Sequence, residues 1–311
     1  MYYQSNQKIK VILMNDRKQQ VIAKAHQLFV EKGFQSTSII DILEYSGISK
    51  GTFYNYFSSK NELLIAIFTS LGKKIEQERN HLLIGQDPAD IEVFIGQLEL
   101  HMAFNKRNKL LTLFEEVFVS NDPALKQFLK RMQIMHLSWI YHRFLDIFGK
   151  NKQPYLLDCA VMFTGMLHHN IHYHFLAHEM DSSLKHVIRF TVERVVKMVD
   201  EVESSGDQLL DPEILSKWLP ECNKAGLVVE KKLYHIVSAL KKHMNEGADQ
   251  LEHFELLDFI QEEVIHSKTP RKFLIKSALA TLREISDDVW QPDLQKLEEI
   301  IEDFLSVKSN I

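Results

Sequence analysis

The sequence predicts an all-α protein. Apolar residues recur at spacings of three and four, not in alternation. The 11 Gly and 7 Pro among 311 residues fall below ordinary shares of about 7% and about 5%, so tight turns are few. Prolines stand where helical patterns begin, and no stretch reads as a strand. Sandwiches, barrels and Gly-rich nucleotide folds are therefore disfavoured. An apolar share of 45% with 25% charged residues fits a folded globular chain. The length suits roughly two domains of about 150 residues each.

The elements follow in order. Residues 1–15 read as a flexible arm, with Met14 an alternative start. A first helix runs from about Asp16 to Lys32 with Val21, Ala25, Leu28 and Phe29 on one face, and Gly33 ends it. Short helices follow over about Ser38 to Tyr45 and Lys50 to Asn55. A longer one opens at Ser58 or Ser59, where Ser59-x-x-Glu62 has the form of a capping box. Asp87-Pro88, Asp122-Pro123 and Asp211-Pro212 each pair an N-cap with a proline at the first helical position. Pro154, Pro270 and Pro292 open further segments. The expected helices span about 88–104, 107–119, 123–148, 154–179, 182–203, 212–219, 228–245, 249–266, 270–285 and 292–306. Ser204-Ser205-Gly206-Asp207 reads as a linker. The expected domains are 1–63, 64–203 and a further helical region over 207–311.

Two cysteines, Cys159 and Cys222, make neither a disulfide framework nor a Cys-based zinc site, which suits a reducing cytoplasm. No apolar run approaches the ~18 residues of a membrane span. Val11-Ile12-Leu13-Met14 is shorter than a secretory core of about 7–15 residues. Charge is uneven. Residues 1–60 hold eight Lys and Arg against four Asp and Glu, +4 in a chain of −5, which leaves −9 for the remainder. A basic head on an acidic body suits a nucleic-acid-binding module joined to a part that avoids nucleic acid.

The stretch Ser38 to Phe57 gives that head a motif. Two short helices meet at Ser46-Gly47-Ile48, where Gly47 supplies the positive φ of a tight turn. Ile39, Ile42, Ile48 and Phe53 fall on the inward side. This is the layout of a helix-turn-helix, whose second helix enters the DNA major groove. That helix opens with the small or polar Ser49, Lys50, Gly51 and Thr52, which permit close approach. Tyr54 and Tyr56 offer hydroxyls beside Asn55. Lys60 follows, and a lysine there neutralises a phosphate without specifying a base.

Residues 17–63 resemble the DNA-binding domain of TetR-type transcriptional repressors. The resemblance rests on Ala25, Leu28-Phe29, Lys32-Gly33-Phe34, Thr37-Ser38, Asp41-Ile42, the run Gly47 to Tyr54, Phe57, Lys60 and Leu63. It implies a homodimer that reads a palindromic operator with one recognition helix per half-site. It further implies that Thr37 caps the second helix and touches a phosphate, with Ser38 beside it. Lys50, Thr52 and Tyr56 would face bases or the groove wall. Tyr54 and Lys60 would grip phosphates, and Phe53 and Phe57 would be core. Leu43 departs from the family's usual Ala, which puts the tilt of the recognition helix in question.

The resemblance also implies a regulatory body over about 65–203. Its last two helices, 154–179 and 182–203, would form a four-helix dimer seam. Val187, Ile188, Phe190, Thr191, Val195 and Val199 make an apolar stripe, facing either a partner or the chain's own core. Phe104, Phe114, Phe118, Met132, Met135, Trp139, Phe163, Met166 and His169 are candidates to line a pocket for a small hydrophobic effector. His168/His172 and His174/His178 are i, i+4 pairs able to chelate a metal. The pairs lie about 600° apart around a helix, so one ion cannot take all four. His101, His136, His142 or a partner would have to complete either site.

In segment 207–311, Leu233, Ile236, Val237 and Leu240 form one stripe, and Leu294, Leu297, Ile300, Ile301, Phe304 and Leu305 another. Trp218 and Trp290 read as core anchors. No phosphate loop, nucleophile elbow or metalloprotease motif occurs, so an enzyme is not expected. The leading expectation is a cytoplasmic repressor released by a small hydrophobic ligand, with no bound cofactor. The alternatives are a DNA-bound adaptor that holds a protein through 207–311, and a metal-responsive regulator using the histidines.

Overall fold

The computed structural model describes residues 2–119, 122–178, 183–219, 232–233, 236–237, 239–241, 250–266, 270–284 and 290–307, with side chains from residue 16 onward. Every regular element among them is helical. The chain forms two compact units. One comprises Met1–Arg79, Gly96–His136 and Ser183–Ile188, and the other Asn80–Ile95, Leu137–Ser182 and Arg189–Ile311.

The first unit begins with α1, Tyr2–Lys32. Residues 2–15 continue this helix and are not the arm expected from the sequence. No Gly or Pro interrupts 2–32, so nothing stops the helix upstream. Gly33, at φ 84°, turns the chain, and Thr37 follows with its hydroxyl donating to the Gly33 carbonyl at 2.7 Å. Helix α2, Ile39–Ser46, is capped by Ser38 in a full capping box. Gly47 ends it at φ 67°, where its N–H donates to Glu44. Helix α3 spans Lys50–Tyr56 and α4 spans Lys60–His81. The Ser59 cap accepts the Glu62 N–H at 3.0 Å, but Glu62 returns its carboxylate to Ser58, one residue earlier than a standard box. Phe29, Phe34, Ile42, Phe53, Phe57, Leu63 and Leu64 are buried in one core. That core continues through Phe104 of α5 (Ile91–Arg107), Leu113 of α6 (Leu110–Val119) and Leu125 of α7 (Pro123–Phe148). Leu43 packs against this core, so the larger residue is accommodated.

In the second unit, α8 spans Gln153–Ala177 and α9 Lys185–Ser205. Phe94, Phe144 and Phe163 bury their rings against one another at 5.5–5.8 Å. Beyond α10 (Ile214–Trp218) come α11 (Gln250–His266), α12 (Lys272–Glu284) and α13 (Gln291–Val307). Leu233, Leu240, Leu257, Ile260, Ile275, Leu282, Trp290, Leu297 and Ile301 give this C-terminal region its own apolar core. Trp290 is the anchor expected, but Trp218 is 38% exposed and is not. Arg271 grips the buried Glu263 carboxylate through its side chain and its backbone N–H, which ties the start of α12 to α11.

The three Asp-Pro pairs behave differently. Asp122 accepts the Leu125 N–H and starts α7 at Pro123 as expected. Asp87 and Asp211 instead accept the N–H two residues on, at Ala89 and Glu213. Those Asx turns delay α5 to Ile91 and α10 to Ile214.

Candidate nucleic-acid interface

Helix α3 rests on the head core by two aromatic rings. Phe53 and Phe57 are buried, and Tyr56 packs half-buried beside them. The opposite face carries Lys50, Gly51, Tyr54 and Asn55, all exposed. Ser49 caps the helix, accepting the Thr52 N–H at 3.1 Å. Its hydroxyl also lies 2.9 Å from the Thr52 hydroxyl. Six of the expected DNA-contact residues, Ser49, Lys50, Gly51, Thr52, Tyr54 and Asn55, thus share the outer side of α3 and its cap. Exposed Arg17 and Lys24 add positive charge on α1.

Two expected roles are corrected. Ser38, not Thr37, caps α2. The Thr37 side chain is only 1% exposed, with its hydroxyl held by Gly33, so it presents nothing to a phosphate. Lys60 also turns inward. Its Nζ donates to the Phe34 and Thr37 carbonyls at 2.8 Å each and to the Gln35 carbonyl at 3.5 Å. It sits 4.5 Å from the Phe34 ring centre. An ammonium has three donors, and these carbonyls use them. Burial pushes this lysine below its ordinary range. Lys60 is thus a clip that ties the start of α4 to the α1–α2 loop. Sequence reasoning missed this because nothing local shows which way a lysine turns.

The same loop is braced from other sides. Lys32 pairs with Asp41 at 2.8 Å, and Glu116 accepts the Gln35 N–H at 2.8 Å. Lys32 and Ser38 together hold the Asp41 carboxyl well below the usual range. A rigid α1–α2 turn fixes how α3 is offered outward, which specific DNA reading requires.

The model of bacterial regulatory proteins of the tetR family matches residues 21–67, which cover this motif. The chain is a TetR-family helix-turn-helix transcriptional regulator. The family acts by binding DNA and is not a family of enzymes. The chain is 28% identical over 282 residues to the uncharacterized HTH-type transcriptional regulator YerO of Bacillus subtilis, covering 88% of this chain and 92% of that protein. That span is too long to leave out the C-terminal region. The HTH-type transcriptional regulator TtgR of Pseudomonas putida is 24% identical over 193 residues, 60% of this chain and 84% of its own. EthR of Mycolicibacterium smegmatis is 31% identical over 97 residues, 29% of this chain and 44% of its own. No solved structure matches the chain significantly.

The expected pocket residues are divided between the two compact units. Phe104 is buried in the core shared with the head, where Phe114 and Met132 pack against it. Trp139 and Phe163 lie against Phe94, in the second unit. Met166 is half-buried, Met135 is 47% exposed and His169 is exposed. The Phe118 side chain lies outside the described residues. Hydrophobic type alone does not separate core from lining. A cleft of about 790 Å³ lies instead among Tyr141, His142, Lys150, Gln153, Asp211 and Leu215.

His168, His169, His172 and His178 are exposed, and His174 is half-buried with its ring centre 4.7 Å from that of His178. Among the described residues no three His, Cys, Asp or Glu side chains converge as a metal site. No described helix is long and apolar enough to cross a membrane. Cys159 is buried, and burial pushes its thiol up to about 11; Cys222 lies outside the described residues.

Proposed function

We propose that the protein is a cytoplasmic, homodimeric repressor that binds a palindromic operator and is released by a small hydrophobic ligand. The observation that carries the reading is the outer face of α3. Its small, cationic and hydroxyl side chains stand on a braced core, with nothing bulky at Gly51 to hold a duplex away. The TetR-family head supports one reading helix per protomer. Residues 64–203 would serve as the regulatory and dimerisation domain.

A dimer seam is supported by α8. Met162, Gly165, His169, His172 and Leu176 repeat at steps of three and four, a pattern suited to a facing helix. Met162 is 38% and Leu176 is 70% exposed, with open space around Gly165. Phe190 of α9 is 44% exposed. The seam differs from the stripe first considered, because Val187, Ile188, Thr191, Val195 and Val199 are buried within the chain itself. His169 and His172 thus belong to the proposed seam.

The C-terminal region would brace this body. Asp158, buried in α8, accepts the N–H groups of Leu209 at 2.8 Å and Leu210 at 3.1 Å, which ties the linker's end to α8. Leu176→Glu should convert the dimer to a monomer in analytical ultracentrifugation and abolish operator binding. A dimer that survives this change together with Met162→Glu removes α8 as the seam.

A further inference from the structure

The cleft of about 790 Å³ lies wholly within the second unit. Tyr141, His142 and Leu145 near the end of α7 supply one part of it, with Gln153 and Pro154 at the start of α8. Asp211, Pro212, Glu213 and Leu215, which run into α10, supply the other. The chain leading into this second part is anchored by the bonds from Leu209 and Leu210 to Asp158, and Leu215 and Leu219 are buried. The cleft is therefore a formed feature, and its volume is that of a small-molecule site.

The lining is of two kinds. Leu145, Pro154, Pro212 and Leu215 are apolar. The polar groups favour a donor. Asp211 Oδ1 accepts the Glu213 N–H at 2.8 Å, and a carboxylate has capacity for further donors. His142 Nδ1 lies 2.7 Å from the Ser138 carbonyl, so in the neutral ring Nδ1 carries the proton and Nε2 is the acceptor. Burial pushes the Tyr141 phenol up to about 12, and the Asp211 charge acts in the same direction. The phenol therefore stays neutral and adds no charge of its own. Among the lining residues two carboxylates, Asp211 and Glu213, stand against one ammonium, Lys150. An apolar body with one positive, donating end complements such a lining.

We propose that this cleft binds a small primary amine with an apolar tail, its ammonium donating to the Asp211 carboxylate. Such a ligand joins α7 to the segment before α10, so its binding is felt in the link to the C-terminal region. The site goes beyond the function proposed above, because it requires neither a dimer nor release from DNA.

The test is isothermal titration calorimetry of the full-length protein with straight-chain primary amines of two to twelve carbons, against alcohols and carboxylic acids of the same lengths. Amine affinity should rise by up to about fourfold for each buried CH₂ until the cleft is filled. The alcohols and acids should bind at least tenfold more weakly than the matching amines. Asp211→Asn keeps an acceptor for the Glu213 N–H, so the turn survives and only the charge is removed. This variant should bind the amines at least tenfold more weakly, with little change in melting temperature. Limited proteolysis of the unaltered protein gives a second measurement, in which a saturating amine should slow cleavage within 207–216.

Alcohols binding as well as amines, or full amine binding by Asp211→Asn, would overturn the charged end. Acids binding more tightly than amines would assign the cleft to Lys150 and overturn the proposal. Affinity independent of chain length would overturn the apolar tail. Absence of binding across the series, or binding that leaves cleavage at 207–216 unchanged, would overturn the site outright. Operator binding, followed by fluorescence anisotropy in parallel, reads the repressor function separately: an amine that meets these criteria without releasing DNA supports this site and separates it from the effector's.

Discussion

Replacing Gly51 by Ala separates what α3 needs to be a stable helix from what it needs to meet DNA. Gly51 has no positive φ, so the backbone does not demand a glycine. A Cβ built there meets only Ser49 Oγ, at 3.8 Å, an ordinary contact. Glycine in a helix costs about 0.5–1 kcal/mol relative to Ala. Gly51→Ala should therefore stabilise the protein by about 0.5 kcal/mol, a rise of roughly 1–3 °C in melting temperature. If the glycine is there so that a duplex can approach, the methyl group should lower operator affinity at least tenfold, about 1.4 kcal/mol. Differential scanning calorimetry and fluorescence anisotropy on one preparation, at one salt concentration, read both effects. Opposite signs are the expected result. A stabilised variant with unchanged affinity would refute the close approach at Gly51.

Lys60→Met removes three bonds to loop carbonyls and should cost about 1.5–3 kcal/mol of stability, with no change in the salt dependence of DNA binding. Lys50→Ala should leave stability nearly unchanged and reduce the magnitude of the salt slope by about one. If Lys60→Met lowers the slope while stability holds, the lysine grips a phosphate after all. His136 is held neutral in the folded state, down to about 4, so the unfolded chain binds more protons between about pH 6.5 and 4. Stability should fall as pH drops through that window, by on the order of 3 kcal/mol from this residue. Urea midpoints for His136→Gln should show a shallower pH dependence, and an unaltered slope would contradict the assignment. Asp158→Ala should expose the 207–216 segment to limited proteolysis, and unchanged cleavage would mean that the two backbone bonds at Leu209 and Leu210 are incidental.

The head was legible because its constraints are local. Gly33 and Gly47 stand where positive φ is required, Ser38 and Ser49 where caps are required, and the phenylalanines at helical spacing where a small core is required. The helix boundaries were legible for the same reason, and they slipped where a side chain had two local options. Asp87 and Asp211 could cap a helix or close an Asx turn, and the sequence does not say which. The body was less legible because burial there is decided between helices far apart in the chain. Phe104 and Met135 look alike as apolar candidates, but one is core and the other is exposed. Arg79, His101 and His136 meet from three helices, and His101 and His136 drew notice only as metal ligands. Lys60 was misread because its partners lie 23 to 26 residues upstream.

The most direct test of the account is selection of duplexes from random and genomic DNA by the unaltered protein and by a Thr52→Ala, Asn55→Ala variant. The account predicts that the unaltered protein enriches one palindrome, bound by two protomers with half-sites about one helical turn or a multiple apart. The variant should lose that preference while keeping salt-dependent binding to any sequence. Enrichment of the same palindrome by the variant, or of none by the unaltered protein, would contradict the claim that α3 reads DNA.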